Sequence, residues 1–303
     1  MTSLDLRLRS YKELSPEQRL QVFRFTQGFQ NPGFSDPQAQ EKAYLGPAFE
    51  AGATQLSVWA GDRVVGGIGV VIKEVPIKGE AYLTNFFVEA DRRDVFEILL
   101  DSALAKIPTE NLRAIELGLL PQAQELLLWS MAHGFKEAFS LLEYRYEVPK
   151  ETPLASMDEA FEPLSSENQE TFRQLANRAF RESPNGATMT EEDVEQVLKE
   201  LQHPDFVALY HREGEPVGYY QLSLDPHGVG WIEAIGVDPA HHGRGIGRVV
   251  LNRGIEVLSE KVSTIKLKVA SSNPAALRLY EKRGFILEKV ASVWLQIDGA
   301  PSP

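Results

Sequence analysis

The sequence predicts an α/β fold of two similar units in tandem, each a mixed and mostly antiparallel sheet flanked by helices. Three observations predict it. The chain is long enough for two domains, a proline-containing break lies near its middle, and three pattern matches recur in the same order at a separation of about 150 residues. Three matches in the same order indicate a duplicated unit, whereas a single match would carry no weight.

Length and composition set the expected number of domains. The chain has 303 residues, of which 43% are hydrophobic and 24% charged, as in ordinary globular proteins. Two domains of roughly 150 residues fit this length. Residues 148–153 read VPKETP, and two prolines so close together disfavour an interior helix or a central strand. We therefore expect a linker there, between a first domain of residues 1–149 and a second of residues 154–299.

The repeated unit begins with a predicted hairpin, in which a polar turn with glycine joins two strands. An apolar strand with a helical segment follows, and each copy then has an amphipathic helix, a glycine-phenylalanine pair and a final strand. The corresponding segments are residues 55–70 and 206–222, residues 81–88 and 231–237, and residues 133–135 and 283–285. In the second copy we expect helices at about 167–180, 191–201, 245–258 and 274–283, and a strand at 264–269. Asn273, Pro274 and Gly284 are favourable start and stop residues for the last helix.

Charge and residue usage exclude several classes of function. The chain carries 31 basic and 43 acidic side chains, a net charge of -12, and it has no Lys/Arg run. We therefore expect neither nucleic acid nor an anionic membrane as a partner, and a cationic acceptor such as an amine suits this charge better. Cysteine is absent, which excludes disulfides, a thiolate nucleophile and cysteine-based zinc sites. No apolar run reaches about 18 residues, and residues 1–7 contain no signal-peptide apolar region, so we expect a cytoplasmic protein. We also expect no metal cofactor.

The segment with the clearest chemistry is residues 231–248, reading WIEAIGVDPAHHGRGIGR. A predicted strand ends at Val237, and three glycines alternate through five residues where an amphipathic helix begins. Glycine lets the backbone approach a ligand, and the first-turn amides and the helix dipole favour an anion. This pattern predicts a phosphate or pyrophosphate site, with Arg244 and Arg248 adding charge. The alternative is a glycine-rich turn that binds nothing.

Two common phosphate motifs do not fit these residues. A P-loop requires Gly-Lys-Ser/Thr at its end, whereas this loop ends Gly247-Arg248-Val249. A dinucleotide-binding fingerprint requires G-x-G-x-x-G and an acidic residue at the end of the next strand. Here the spacing is G-x-G-x-G, and the next predicted strand ends at Val269 without a carboxylate.

The loop resembles the central motif of the GNAT N-acetyltransferase superfamily, Gln/Arg-x-x-Gly-x-Gly/Ala, with His242 in the first position. Residues 273–285, reading NPAALRLYEKRGF, are similar to the family's second signature, N-x-x-A-x-x-L-Y-x-x-x-G-F. The resemblance implies two tandem GNAT-like domains and acetyl-CoA as co-substrate. It also implies that the backbone of Ile235, Gly236 and Val237 pairs with the pantetheine arm. The pyrophosphate would be held by Gly243, Arg244, Gly245, Ile246, Gly247 and Arg248, with Asn273 near the thioester and Tyr280 beside its sulfur.

The implied activity is direct transfer of the acetyl group to a primary amine within a ternary complex. The amine must lose a proton before it attacks, and the leaving thiolate needs a proton or a hydrogen bond. Tyr280 is the expected acid; its alternative is a packing role. Glu233 is the candidate base, because alternation places it on the face of Trp231 and Ile235. Its alternatives are a half-exposed strand glutamate, a residue that only positions the substrate, or a water chain that serves as the base in its place.

The first copy departs from the family pattern at both signatures. Residues 88–96 contain no glycine, and Asp91 and Asp94 occupy the positions where a phosphate would lie. Ser130 stands where the second copy has Tyr280. We therefore expect a degenerate GNAT-like first domain that lacks the coenzyme A loop and covers the active domain, shapes its cleft or mediates a homodimer. The whole chain resembles tandem-GNAT proteins, a group that includes the mycothiol synthases.

The acceptor is less well defined than the donor. By the resemblance, residues 177–189 and the strand with Tyr219 and Tyr220 would line its site, although both tyrosines could simply pack. A small-molecule or peptide amine is expected. Two further hypotheses stay open: a non-catalytic acyl-CoA sensor that acts through a partner, and an enzyme that transfers a longer acyl group. Tyr280 favours an enzyme, because a protein that only binds has no use for the phenol. His241 and His242 are expected to be loop residues rather than catalytic or metal-binding ones.

Overall fold

A computed structural model describes residues 5–29, 33–34, 36–149, 160–184 and 186–299. The chain forms two compact units. The first contains the residues up to Phe139 together with those from Ser292 onward, and the second is Ser140–Ala291. Most of the predicted linker, residues 150–153, lies outside the described residues.

The first half of the chain contains six strands and five helices within its described residues. The strands are β1 (Leu6–Ser10), β2 (Gln55–Ala60), β3 (Arg63–Val71), β4 (Glu80–Val88), β5 (Ala114–Leu119) and β6 (Lys136–Glu147). The helices are α1 (Pro16–Gln27), α2 (Pro37–Tyr44), α3 (Val75–Lys78), α4 (Arg93–Leu104) and α5 (Gln124–Ala132).

Apart from the short helix α3, the second half repeats this order within its described residues, which confirms the duplication predicted from the sequence. Its strands are β7 (Phe161–Pro163), β8 (Val207–Arg212), β9 (Glu215–Leu224), β10 (Gly230–Val237), β11 (Thr264–Ala270) and β12 (Ile286–Asp298). Its helices are α6 (Gln169–Ala179), α7 (Glu191–Lys199), α8 (Ile246–Ser259) and α9 (Pro274–Arg283). The predicted helices and the strand at 264–269 agree with these bounds to within a few residues.

Each unit contains a mixed sheet that is antiparallel except for one parallel pair, as the fold prediction states. The parallel pairs are β4 with β5 in the first unit and β10 with β11 in the second. Residues 141–147 of β6 complete the second sheet beside β11, whereas residues 293–298 of β12 pair with β5 in the first. The units therefore differ from a linear division into residues 1–149 and 154–299. The apolar pattern of a strand identifies the strand but not its neighbour, so the sequence alone does not reveal this pairing.

Two apolar clusters hold the second sheet between its helices. On one face, α8 contributes Val250, Leu251 and Ile255, which are almost fully buried against strand residues such as Leu267. On the opposite face, Phe172 and Leu175 of α6 pack with β8 and β9 residues. Burial of this kind stabilises by roughly 25 cal/mol per Å² of apolar surface. The sheet is thus a rigid base on which the loops after β10 and β11 are carried.

Local signals begin and end the helices near these loops. The Asn273 side chain accepts a hydrogen bond from the Ala276 amide at 3.1 Å, so it caps α9, and Pro274 occupies the first turn. Gly284 ends α9 in the left-handed conformation, with φ of 99°. Within the described residues, no helix has the length and apolar character needed to cross a membrane.

Candidate active site

The glycine loop between β10 and α8 adopts the open conformation that an anion site requires. Gly243 and Gly245 have φ of 75° and 80°, which L side chains rarely adopt. A methyl group built on either residue meets no atom within 4 Å, so the backbone borders open space. Gly245 precedes the first turn of α8, where amides point outward without acceptors inside the helix. Buried Ile246 anchors this turn in the core.

The edge of β10 beside this loop is also open. The ladder between β10 and β11 covers only Gly230, Trp231 and Ile232 among the described residues, although β10 continues to Val237 along β9. The two parallel strands therefore diverge beyond Ile232. Their separation exposes backbone groups near Ile235, which suit hydrogen bonds with an extended ligand.

A cleft of about 820 Å³ connects these features. It is lined by the end of β10, the glycine loop, the start and inner face of α9, and the segment that follows α6. Of the sequence-predicted site residues, those that line it are Ile235, Val237, Gly243, Gly245, Ile246, Gly247, Asn273 and Tyr280. Four predicted residues, all within the described part of the chain, do not line it: Glu233, Gly236, Arg244 and Arg248.

Gly236 has a packing reason to be glycine. A methyl group on Gly236 would lie 2.1 Å from the ring of Tyr219, which is buried against Phe172 on the α6 side. Tyr220 is likewise buried, on the opposite face of β9. Both tyrosines therefore pack, and neither is among the residues that line the cleft.

Glu233 is placed by a β-bulge. Ile232 pairs with Leu222 and Ala234 with Gln221, so Glu233 is the extra residue in β10. The expectation that Glu233 shares a face with Ile235 is wrong, because the bulge interrupts the alternation. Its carboxylate is exposed and accepts a hydrogen bond from the Ser223 hydroxyl at 2.5 Å.

Tyr280 is the titratable cleft residue with the most altered environment. The residue is only 8% exposed, and burial raises the pKa of its phenol to about 12. Its ring lies 6.0 Å from that of Phe285. The phenol is therefore protonated at every physiological pH and is available as a hydrogen-bond donor.

Asn273 and His242 have structural partners in the same cleft. The Asn273 carbonyl oxygen caps α9, which leaves its amide group for other interactions. His242 Nε2 lies 3.1 Å from the Val237 carbonyl oxygen and fixes the turn before the glycines. His241 also lines the cleft, and its Nδ1 is buried without a hydrogen-bond partner. No group of three metal-ligating side chains is present among the residues that the structure describes.

A second wall of the cleft is formed by residues 178–184. Arg178 Nε donates to the Asp238 carboxylate at 2.8 Å. Burial acts to raise the pKa of Asp238, but the hydrogen bonds from Arg178 and the Ala240 amide lower it overall. Sequence reasoning assigned this segment to the acceptor side and did not identify its arginines. A basic residue at the end of α6 was the only available signal.

The class of protein follows from this geometry and from a family match. Residues 169–285 match the Acetyltransferase (GNAT) family, and they contain the whole sequence from α6 to α9. A GCN5-related N-acetyltransferase from Sphaerobacter thermophilus has the same fold, with a TM-score of 0.71, 16% identity, and coverage of 98% of this chain and 97% of that one. The second unit therefore contains a GNAT-family domain, and members of this family use acetyl-CoA as co-substrate.

The fold of the whole chain is similar to that of a tandem-GNAT protein. It aligns with a tandem GNAT protein from the clavulanic acid biosynthesis pathway at a TM-score of 0.64 and 13% identity, over 99% of this chain and 100% of that one. Among curated proteins, it is 30% identical over 191 residues to a mycothiol acetyltransferase from Kytococcus sedentarius, covering 55% of this chain and 64% of that protein. A mycothiol acetyltransferase from Thermomonospora curvata is 33% identical over 127 residues, covering 41% of this chain and 42% of that protein. Each alignment thus spans less than two thirds of the relative's length.

Proposed function

We propose that the second unit is an N-acetyltransferase that moves the acetyl group of acetyl-CoA directly to a primary amine within a ternary complex. One observation carries the proposal: a single cleft gathers the glycine loop, the open edge of β10, and Asn273 and Tyr280 of the second signature. These segments are far apart in sequence and meet only through the fold. Phosphate-binding and thioester-binding groups would therefore face one ligand.

The cleft fits an acyl-CoA molecule part by part. First-turn amides of α8 and the loop with Gly243 and Gly245 suit the pyrophosphate. The open edge near Ile235 suits the pantetheine arm, which carries two amide groups. Tyr280 lines the same cleft, and in this arrangement the thioester would lie beside it. Gly236, Arg244 and Arg248 then act around the site, by packing or by long-range charge, rather than as its lining.

The enzyme's main contribution is alignment of the amine with the thioester. The amine attacks the thioester carbonyl, a tetrahedral oxyanion forms, and the C–S bond breaks to release coenzyme A. A backbone amide on the open part of β10 is well placed to donate to the oxyanion. Glu233 remains the base candidate, and because its carboxylate is exposed outside the cleft it would accept the amine proton through water.

Tyr280 acts as a hydrogen-bond donor more than as a full acid. A thiol has a pKa of about 8.5, whereas that of the Tyr280 phenol is about 12. Complete transfer of the phenolic proton to the thiolate would therefore be unfavourable. A hydrogen bond to the developing thiolate still stabilises the transition state, and solvent supplies the final proton.

The acceptor is proposed to be a small-molecule amine. The curated relatives are named mycothiol acetyltransferases, which suggests a small metabolite rather than a protein substrate. The second wall of the cleft, residues 178–184, would border this acceptor or the acyl group. Transfer of acyl groups longer than acetyl is tested by the same assay with a series of acyl-CoA donors.

The first test is a calorimetric titration of acetyl-CoA into the full chain, followed by a thiol-release assay with a set of amines. We expect micromolar binding at one site per chain and release of coenzyme A with at least one amine. Binding without release for any acceptor would favour the acyl-CoA sensor. If acetyl-CoA does not bind, the enzyme and the sensor are both excluded.

A further inference from the structure

The cationic side chains that line the cleft do not come from the glycine loop. Arg244 and Arg248 flank the glycines in sequence, but both are exposed and neither is among the lining residues. Arg178 and Arg181 do line it, and they belong to the end of α6 and the segment after it. The positive charge that faces a bound anion thus comes from a different part of the chain.

This segment is held in place by its own hydrogen bonds. The Asn177 side chain donates to the Met189 carbonyl at 2.9 Å and accepts from the Met189 amide at 2.8 Å. These two bonds join the beginning and the end of residues 177–189. The segment that carries the two cleft-lining arginines is therefore held by hydrogen bonds between its two ends.

Arg178 forms an ion pair with the carboxylate of Asp238. Its Nε lies 2.8 Å from Asp238 Oδ2, and Asp238 Oδ1 accepts the Ala240 amide at 3.0 Å. The Asp238 side chain is 16% exposed and also lines the cleft. Without Arg178, a carboxylate would face the phosphate position without a counter-charge and repel the ligand.

Arg181 and Glu182 are the other charged side chains on this wall, and both are exposed. Since Arg178 neutralises Asp238, the remaining charge on this wall is determined by Arg181 and Glu182. The protein as a whole carries a net charge of -12, so an anionic cofactor depends on local positive charge at the site.

We propose that Arg181 is the charged group that binds the pyrophosphate from the second wall of the cleft, residues 178–184, and that Arg178 is a positioning residue that neutralises Asp238. This inference rests on the proposed binding of acyl-CoA. Glu182 opposes the same ligand and weakens its binding. The glycine loop supplies amides, and the segment after α6 supplies the charge.

The experiment compares coenzyme A and 3′-dephospho-coenzyme A, which share the pyrophosphate, in calorimetric titrations of the full chain. Parent binding to coenzyme A must be observed first; its absence would remove the proposed function itself. We expect Arg181→Met to weaken both ligands about fivefold and Glu182→Gln to strengthen both by about twofold. Arg244→Met, an exposed arginine of the same unit outside the cleft lining, is the matched control and should change affinity by less.

Ionic strength and conservative replacement separate charge from packing. The loss in Arg181→Met should shrink as salt is raised from about 0.05 M to about 0.5 M, because exposed charges are screened. Arg181→Lys, which keeps the charge, should recover most of the affinity. A loss that is independent of salt and not recovered by lysine would overturn the assignment, as would a loss seen with coenzyme A alone, which would indicate the 3′-phosphate.

Arg178 is tested by a double-mutant cycle. Arg178→Met should weaken coenzyme A more than Arg178→Met combined with Asp238→Asn, because the second change removes the carboxylate left unpaired. Asparagine retains an oxygen that can accept the Ala240 amide. Equal or additive losses in the single and double variants would refute the neutralising role.

Discussion

The turns that precede α4 and α8 have corresponding positions in the two units but opposite character. In both units, within the described residues, a parallel strand pair meets only at its beginning, through Glu80–Leu83 in the first and Gly230–Ile232 in the second. Before α8, two left-handed glycines leave the first-turn amides facing open space. Before α4 the left-handed residue is Asp91, with φ of 59°, and its amide donates to Glu125 at 3.2 Å.

The carboxylate of Glu125 thus takes a position near the start of α4 that an external anion would need. Arg92 is likewise paired internally, with Asp94 at 2.8 Å. On the later helices the contrast continues: Ser130 in α5 is fully buried, whereas Tyr280 in α9 lines the cleft. The same architecture can therefore either keep or lose an anion site, depending on a few residues at one turn. We propose that the first unit does not bind coenzyme A.

The largest effect is expected from a substitution in the glycine loop before α8, and it should appear in acetyl-CoA binding. Gly245→Asp adds a side chain at φ of 80° and a negative charge beside the pyrophosphate position. We expect acetyl-CoA binding to fall at least about a hundredfold, through roughly 1–2 kcal/mol of backbone strain and charge repulsion. Calorimetric titration of acetyl-CoA into the variant measures this loss of affinity. Gly214→Asp is the matched control, since Gly214 has φ of 82° in the β8–β9 turn, faces open space and lies outside the cleft lining; an equal loss there would show that strain alone is responsible.

The second-largest effect is expected from removing the phenol of Tyr280, which α9 has and α5 lacks. This change should slow turnover. Tyr280→Phe keeps the ring but not the donor, so we expect a decrease in kcat of about 10- to 100-fold and an acetyl-CoA affinity within about twofold of the parent. The phenol has a pKa of about 12, so this loss should not vary between pH 6 and 9. Tyr219→Phe, a buried tyrosine that does not line the cleft, should keep parental turnover. An unchanged kcat in Tyr280→Phe would exclude the donor role.

Buried carboxylates offer a comparison of stability between the units. Glu143 in the second unit is paired with Lys266 at 3.1 Å and Lys289 at 3.6 Å. Glu116 in the first has a buried Oε2 that lacks a hydrogen-bond partner among the described residues, and burial, together with Glu80, raises the pKa of its carboxyl from 4.5 to about 7. The folded state therefore binds a proton more tightly than the unfolded state, and Glu116 lowers the free energy of unfolding progressively as pH rises from 4.5 to 7.

Glu116→Gln should consequently raise the thermal midpoint above pH 7 and change it little below pH 4.5. The gain in unfolding free energy should reach at most about 3 kcal/mol, the equivalent of the shift in the Glu116 pKa. Glu143→Gln should instead destabilise at neutral pH, because Lys266 and Lys289 each lose one carboxylate partner, although Lys266 keeps its ion pair with Glu288 at 2.6 Å. Thermal melts of both variants across pH measure this contrast, and a pH-independent effect of Glu116→Gln would contradict it.

The smallest effect is expected at Glu233. Its carboxylate is exposed and outside the cleft, so a base role through water should cost about three- to tenfold in kcat/KM in Glu233→Gln. The loss should be largest at low pH, where the amine is most fully protonated. Ser223→Ala, which removes the hydrogen bond to Glu233, is the companion variant. Parental kinetics in Glu233→Gln would leave a water chain as the base.

Sequence reasoning was most reliable where one local signal determines structure. The helix starting at Pro274 and ending at Gly284 was predictable because its cap, proline and left-handed glycine lie within the helix ends themselves. Glu233 shows the limit. Alternation predicted its face, but the bulge is detected only through its pairing with Leu222 and Gln221 of β9. For Gly236, the backbone contact with the pantetheine arm stays a prediction, and sequence reasoning did not identify the Tyr219 ring that requires glycine there.

The sequence by itself determined the duplicated α/β plan, the glycine loop and the second signature, because periodicity, caps and left-handed glycines act over a few residues. Only the tertiary structure decided which strand completes each sheet and which side chains share the cleft. It removed Arg244 and Arg248 from the lining and added Arg178 and Arg181, whose position depends on the packing of α6 against β9. Contacts between distant segments depend on how sheets and helices pack together, and a local pattern does not contain that information.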